Sequence, residues 1–124
     1  MRTWYSKSLA VFFALLVLVV CGSAGAQQSP DYVQGSWTIY SRNIDNGEMV
    51  TKFVHINQNG NQLTGHFKGP NQSGGIEGFV NGHHIEFSTK TRTVLTFRGQ
   101  IEGNQITGMY GIRGRHAEWQ AVRQ

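Results

Sequence analysis

The 124-residue chain holds a single cysteine, Cys21. That residue lies in an N-terminal stretch that reads as a leader, so the folded part has no disulfide and depends on core packing alone. Helical signals are missing as well: no segment carries apolar residues at a 3.6-residue period between capping residues. Serines are few and no Gly-x-Ser-x-Gly elbow is present, which leaves nucleophilic catalysis without a candidate. Charge of one sign is scarce. The net charge is +4 and, once Arg2 and Lys7 of the leader are set aside, nine basic side chains face seven acidic ones. Such a mild balance does not imply nucleic acid. The one long apolar run, Leu9 to Val20, is about a dozen residues, which is short for a membrane span.

Arg2 and Lys7 flank that run on one side and Ala24-Gly25-Ala26 on the other. Basic, then apolar, then small is the order of a signal peptide, with cleavage expected after Ala26. Two alternatives stay open: a retained N-terminal anchor, and lipid attachment at Cys21, for which the branched Val20 is a poor predecessor. Cleavage leaves about 98 residues, one small domain in the periplasm or outside the cell. Residues 27–34 are polar and include Pro30; they read as a flexible arm ahead of a single domain at 35–124.

Within that domain eight short strands can be written between turn residues: Ser36–Asn43, Met49–Asn57, Gln62–Lys68, Gly75–Val80, His83–Thr89, Thr93–Ile101, Asn104–Ile112 and Arg115–Arg123. The turn glycines Gly60, Gly82 and Gly103 are spaced 22 and 21 positions apart, a hairpin that recurs. Two-residue turns are placed at Asn46-Gly47, Asn59-Gly60, Asn81-Gly82, Glu102-Gly103 and Arg113-Gly114; Asn-Gly in particular suits the type I′ hairpin, because both central residues need positive φ. They place Trp37 opposite Ile56, Ile56 opposite Leu63, Gly78 opposite Ile85, Gly99 opposite Ile106 and Tyr110 opposite Ala117. On one face apolar residues then meet apolar residues or glycine in every hairpin. The other face is polar, with Phe79, Val94 and Met109 as exceptions.

A meander with one apolar face and no helix to cover it must cover itself. The expected fold is all-β, an eight-stranded antiparallel up-and-down meander closing into a small barrel. A two-sheet β-sandwich is the alternative. Gly65, Gly78, Gly99 and Gly108 face inward, where a missing side chain permits bending and makes room for large neighbours. Gly108 is placed between Phe97 and Trp119.

Gly35-Ser36-Trp37 opens the first strand as Gly-x-Trp, and Arg123 closes the last on the inward register. This pattern resembles the calycin superfamily of lipocalins, fatty-acid-binding proteins, avidins and small bacterial metalloprotease inhibitors. The resemblance implies that Trp37 sits at the closed end of a barrel with Arg123 packed over its indole, a cation–π contact of about 0.5–2 kcal/mol. Leu63-Thr64-Gly65-His66-Phe67 also resembles the Leu-Thr-Gly-x-Tyr run of avidins. The biotin-binding polar residues that avidins place after the first-strand tryptophan are replaced here by Thr38 to Asn43.

The end opposite Trp37 gathers Arg42, Lys52, Lys68, Lys90, Arg92, Arg113 and Arg115 against only Asp45 and Glu48. Ser41, Lys52, Thr89, Thr93 and Arg115 fall on the inward register near this mouth. An apolar interior below a basic rim suits a small apolar or amphipathic anionic molecule, held against Phe67, Phe97, Tyr110 and Trp119 with Lys52 and Arg115 at the entrance. Solvated loop ends above a ring-filled interior are the plainer alternative. No cofactor is implied. The five histidines show no ligand spacing, so no metal site is expected; His55 and His66 are placed on the outer face two positions out of register. Glu77 falls opposite Glu86, a like-charge pair that repels.

The functional expectation is an exported, non-enzymatic binding protein. The resemblance to metalloprotease inhibitors supplies a second possibility, a protein-binding module whose arm at 27–34 enters a protease cleft. An envelope structural domain with a filled core is a third. Membrane contact is confined to an uncleaved leader or the basic rim.

Overall fold

A computed structural model describes residues 28–124; the expected leader at 1–26 lies outside the described residues. Eight strands, β1 (Gly35–Arg42), β2 (Met49–Asn59), β3 (Gln62–Lys68), β4 (Ser73–Asn81), β5 (His84–Lys90), β6 (Thr96–Glu102), β7 (Gln105–Ile112) and β8 (Arg115–Arg123), follow one another in order. Each pairs antiparallel with the next, and β8 returns to β1 through pairs from Trp37–Arg123 to Ser41–Trp119. That last ladder makes the sheet a closed barrel and rules out the sandwich. Strict alternation drives it: β2 buries Lys52, Val54 and Ile56 while Thr51, Phe53 and His55 face out. An open sheet of this pattern would leave its apolar face and two edges to solvent.

The registers differ from those expected, and differ in a regular way. In four of the five hairpins the pairing is displaced by two residues: Trp37 meets Val54, Ile56 meets Gly65, Gly78 meets Phe87 and Gly99 meets Gly108. The turn chemistry explains it. A type I′ turn at Asn59-Gly60 needs positive φ at both residues, yet only the glycines adopt it, with φ of 61°, 58° and 62° at Gly60, Gly82 and Gly103. Asn59, Asn81 and Glu102 stay in their strands, and each glycine becomes the first residue of its turn. The second turn residue then turns its carbonyl to the neighbouring hairpin: Asn61, His83 and Asn104 accept the N–H groups of Val80, Ile101 and Arg123 at 2.8, 2.7 and 3.0 Å. The recurring sequence unit is thus a stitch that ties successive hairpins at one end of the barrel.

The first hairpin departs for another reason. Asn43 Oδ1 accepts from the backbone of Asp45 and Asn46 at 2.8 and 3.3 Å, an Asx turn, and Asn43 N–H donates to Glu48 O at 2.7 Å. The connection between the strands is the six-residue loop 43–48. Only Arg113-Gly114 forms the expected turn, with φ of 48° and 81°. Arg113 is the one non-glycine residue with positive φ among the described residues, a conformation that costs an ordinary side chain roughly 1–2 kcal/mol.

Displacement by two preserves the parity of each strand but changes who meets whom. Glu77 and Glu86 are not opposed: Glu77 lies opposite Ser88 and 3.6 Å from Lys90, and Glu86 pairs with Arg98 at 2.6 Å. His55 and His66 are directly opposite each other, and His55 Nδ1 is 2.8 Å from Ser36 Oγ.

The interior is filled with aromatic rings. Phe97 stacks on Phe87 and Tyr110 at centroid distances of 4.8 and 5.4 Å, takes the edge of Trp119 at 5.1 Å, and lies 6.1 Å from Phe67. Gly99 makes room for that indole, since a Cβ there would lie 3.0 Å from Trp119 Cζ2, and the indole Nε1 donates to the carbonyls of Arg98 and Met109 at 3.0 and 3.1 Å.

At the stitched end Trp37 is fully buried, its Nε1 donating to Val33 O at 3.0 Å. Arg123 stacks over it at 4.5 Å and donates to Gln34 O, Tyr32 O and Asn104 Oδ1. Gly35, at φ 123°, adopts a backbone closed to other residues, and its missing Cβ would lie 3.5 Å from that guanidinium. Residues 28–34 do not project as an arm here. They cross this end as a strap, with Val33 fully buried, Gln58 bonded to Asp31, Val33 and Gln34, and Asp31 N–H donating to Gly82 O.

Candidate functional site

The end opposite the strap is open. A pocket of about 250 Å³ lies there, walled by Val50 and Lys52 of β2, Phe67 of β3, Tyr110 and Ile112 of β7, and the loops at Asn43–Asp45, Gly69–Gln72 and Thr93–Leu95. The loops are set by their own polar groups. Gln72 Nε2 donates to Thr93 O at 2.8 Å, which joins the β3–β4 and β5–β6 connections. Thr91 Oγ1 lies 2.7 Å from Thr89 Oγ1 and donates to Thr93 O at 2.7 Å.

Lys52 defines the chemistry of this pocket. Alternation turns it inward, and it is 8% exposed. Its Nζ lies 4.4 Å from the centre of the Tyr110 ring and 5.9 Å from that of Phe97, and no carboxylate pairs with it among the described residues. Burial lowers its pKa from 10.5 to about 8, so it remains mostly protonated at neutral pH. Between those values the unfolded chain holds a proton that the folded chain has released. Lys52 therefore weakens the fold below about pH 8 and stops doing so as pH rises through that window. Nearby, burial pushes the Tyr110 phenol above its usual 10.0, and its hydroxyl donates to Arg42 O at 2.7 Å. The Ser41 hydroxyl is close enough to oppose that rise but makes no well-formed hydrogen bond of its own.

The structure divides the expected site residues into three groups. Lys52, Phe67 and Tyr110 line the pocket. Phe97 and Trp119 are buried in the packed interior beneath it. Arg115 stands outside, exposed, donating to Asp45 Oδ1 at 2.8 Å and Ile44 O at 3.1 Å, where it braces the first loop instead of entering the mouth. The rim is also less free than its composition implied. Arg42 donates to Gly47 O and Lys90 pairs with Glu77, so Lys52, Lys68, Arg92 and Arg113 are the rim cations without partners among the described residues. No group of three or more His, Cys, Asp or Glu side chains is placed to hold a metal among the described residues.

The strap, read from the sequence as a flexible arm, carries a titrating contact. His83 Nδ1 lies 2.7 Å from Asp31 Oδ2, and that hydrogen bond, then the carboxylate charge, raises its pKa above 6.5. The tie contributes fully below the ordinary histidine pKa and is lost as pH rises through the folded value. An NMR titration is expected to give a His83 midpoint above 6.5 that falls in Asp31→Asn; an unmoved midpoint in the variant would refute the contact.

Neither a protein-family model nor a curated protein matches the chain.

Proposed function

We propose that this is an exported, non-enzymatic binding protein that takes a small amphipathic anion at the mouth of the barrel. The observation that carries the reading is Lys52: a nearly buried ammonium at the floor of an open, partly apolar pocket, resting on a tyrosine ring with no ion pair among the described residues, while the one acid in the pocket wall, Asp45, is held by Arg115. A desolvated cation without a counter-charge is costly, and a carboxylate entering between Val50, Leu95 and Ile112 would supply one. The pocket, at about 250 Å³, falls below the ~300–1,000 Å³ that ligand sites usually span. That size favours a short-chain carboxylate over a long-chain lipid. Phe67 and Tyr110 are the contacts of its tail; Phe97 and Trp119 serve as the floor. The indole of Trp37 beneath Arg123 supports grouping the barrel with calycin-like proteins.

Titration of the protein with octanoate, followed by NMR shifts of Lys52, Phe67 and Tyr110, tests this. Lys52→Met is expected to weaken binding at least tenfold, about 1.4 kcal/mol, with the fold as stable or more so at pH 7, since a buried ammonium is removed. Absence of saturable shifts in the wild-type protein, or equal affinity in the variant, would remove the reading.

The ring-filled interior favours a second reading, a structural or protein-binding domain of the envelope with no resident ligand. A protease inhibitor working through residues 27–34 is less well supported, because Val33 and Trp37 hold the described part of that segment, 28–34, across the closed end.

A further inference from the structure

Outside the mouth, on the wall formed by β6, β7 and β8, lies a groove of about 440 Å³ lined by Arg92, Arg98, Arg113 and His116 together with Thr93 and Thr96. Glu86 neutralises Arg98 at 2.6 Å, and no acidic side chain lines the groove itself. Arg92 and Arg113 are exposed and make no side-chain hydrogen bond or ion pair among the described residues. His116 lies opposite Gly111, where a Cβ would come within 3.2 Å of its ring, so a glycine there accommodates the imidazole beside the groove.

Arg113 is the residue the fold does not explain. It occupies the first position of a type I′ turn at φ 48°, a place suited to glycine or asparagine. The three stitched turns at the other end put glycine in their strained first position. Here the chain holds an arginine in strain, and its guanidinium has no bonding partner among the described residues. Local rules broken without a structural return are characteristic of sites that bind something.

We propose that this groove is a second anion site, specific for a phosphate ester, with Arg92 and Arg113 as its two guanidinium donors. Each guanidinium can offer paired N–H groups to phosphate oxygens. Thr93 and Thr96 add hydroxyls at the groove wall, and His116 adds its imidazole ring. The site shares only Thr93 with the mouth pocket, so it stands or falls independently of the carboxylate reading. The ester could belong to a soluble phosphomonoester or to a lipid headgroup.

Glycerol 3-phosphate is the soluble probe, and vesicles of phosphatidylcholine with or without phosphatidic acid are the membrane probe. The soluble ester is expected to shift the amides of residues 92–98 and 111–116 saturably. Arg113→Gly should weaken it at least fivefold while leaving the melting temperature unchanged or higher, because glycine relieves the turn. Arg92→Gln should weaken it similarly. Lys68→Gln, which removes a rim charge remote from the groove, should change affinity less than twofold. Binding to phosphatidic acid vesicles more than tenfold tighter than to the soluble ester assigns the headgroup as the source, and comparable or weaker binding assigns the soluble ester. Unchanged affinity in Arg113→Gly, an equal loss in Lys68→Gln, or a lower melting temperature in Arg113→Gly would overturn the proposal, the last by making Arg113 structural.

Discussion

Phe97→Ala should lower the unfolding free energy by about 3–5 kcal/mol, read from urea or thermal denaturation. Domains of this size hold roughly 5–15 kcal/mol in total, so the variant is expected to be partly unfolded at 37 °C. The reason is position. Phe97 touches a ring from four other strands: Phe67 on β3, Phe87 on β5, Tyr110 on β7 and Trp119 on β8. Its removal leaves a void in the middle of a closed barrel, where strands bonded on both sides cannot collapse inward to fill it. Stacked and edge-on aromatic pairs add about 0.5–1.5 kcal/mol each beyond their buried area. A loss below about 1.5 kcal/mol would mean that the rings do not pack as a single cluster.

Gly108→Ala is expected to cost about 3 kcal/mol or more, the upper part of the range for overpacking. A Cβ built there would lie 1.9 Å from Arg98 O and 2.6 Å from Gly99 Cα. Both are backbone atoms of the partner strand, so relief requires the β6–β7 ladder to part, and with it the two carbonyls that hold the Trp119 indole. Gly75→Ala supplies the comparison. It is also a strand glycine, but its Cβ would meet nothing closer than 3.6 Å, and the change should move the melting temperature by no more than a few degrees. Equal losses in the two variants would show that β-propensity, not close approach, sets the cost.

Both predictions concern the stretch from Leu95 to Trp119, where alternating residues and turn glycines were most readable in the sequence. Its faces were legible because a strand's side chains alternate with period two and burial on one side selects one parity. That is also why the register was not: a slip of two preserves every face, and the apolar pattern is indifferent to it. The decision between Asn59-Gly60 and Gly60-Asn61 as the turn lies in hydrogen bonds to the next hairpin, which no local pattern contains.

The site was legible to a similar depth. Lys52 is an inward cation by parity alone, and its unpaired state could be anticipated from the scarcity of acids near the mouth. Arg115 has the same parity, but a residue at a strand end can reach over the rim, and Asp45 drew it there. The strap was invisible because Val33 and Asp31 belong to no strand. Their partners, Trp37, Gln58 and His83, are brought together only when the barrel closes.

The sequence by itself determined that the domain at 35–124 is all-β, which parity of each strand faces inward, and that eight strands with one apolar face must close on themselves. Alternation and the absence of any covering helix suffice for that. Tertiary structure alone decided which inward residues meet, that the rings around Phe97 fill the interior, and that Lys52 ends in a pocket of about 250 Å³ at the open end. Those outcomes depend on how volumes and hydrogen bonds are shared between strands distant in the chain, and that sharing exists only in the closed barrel.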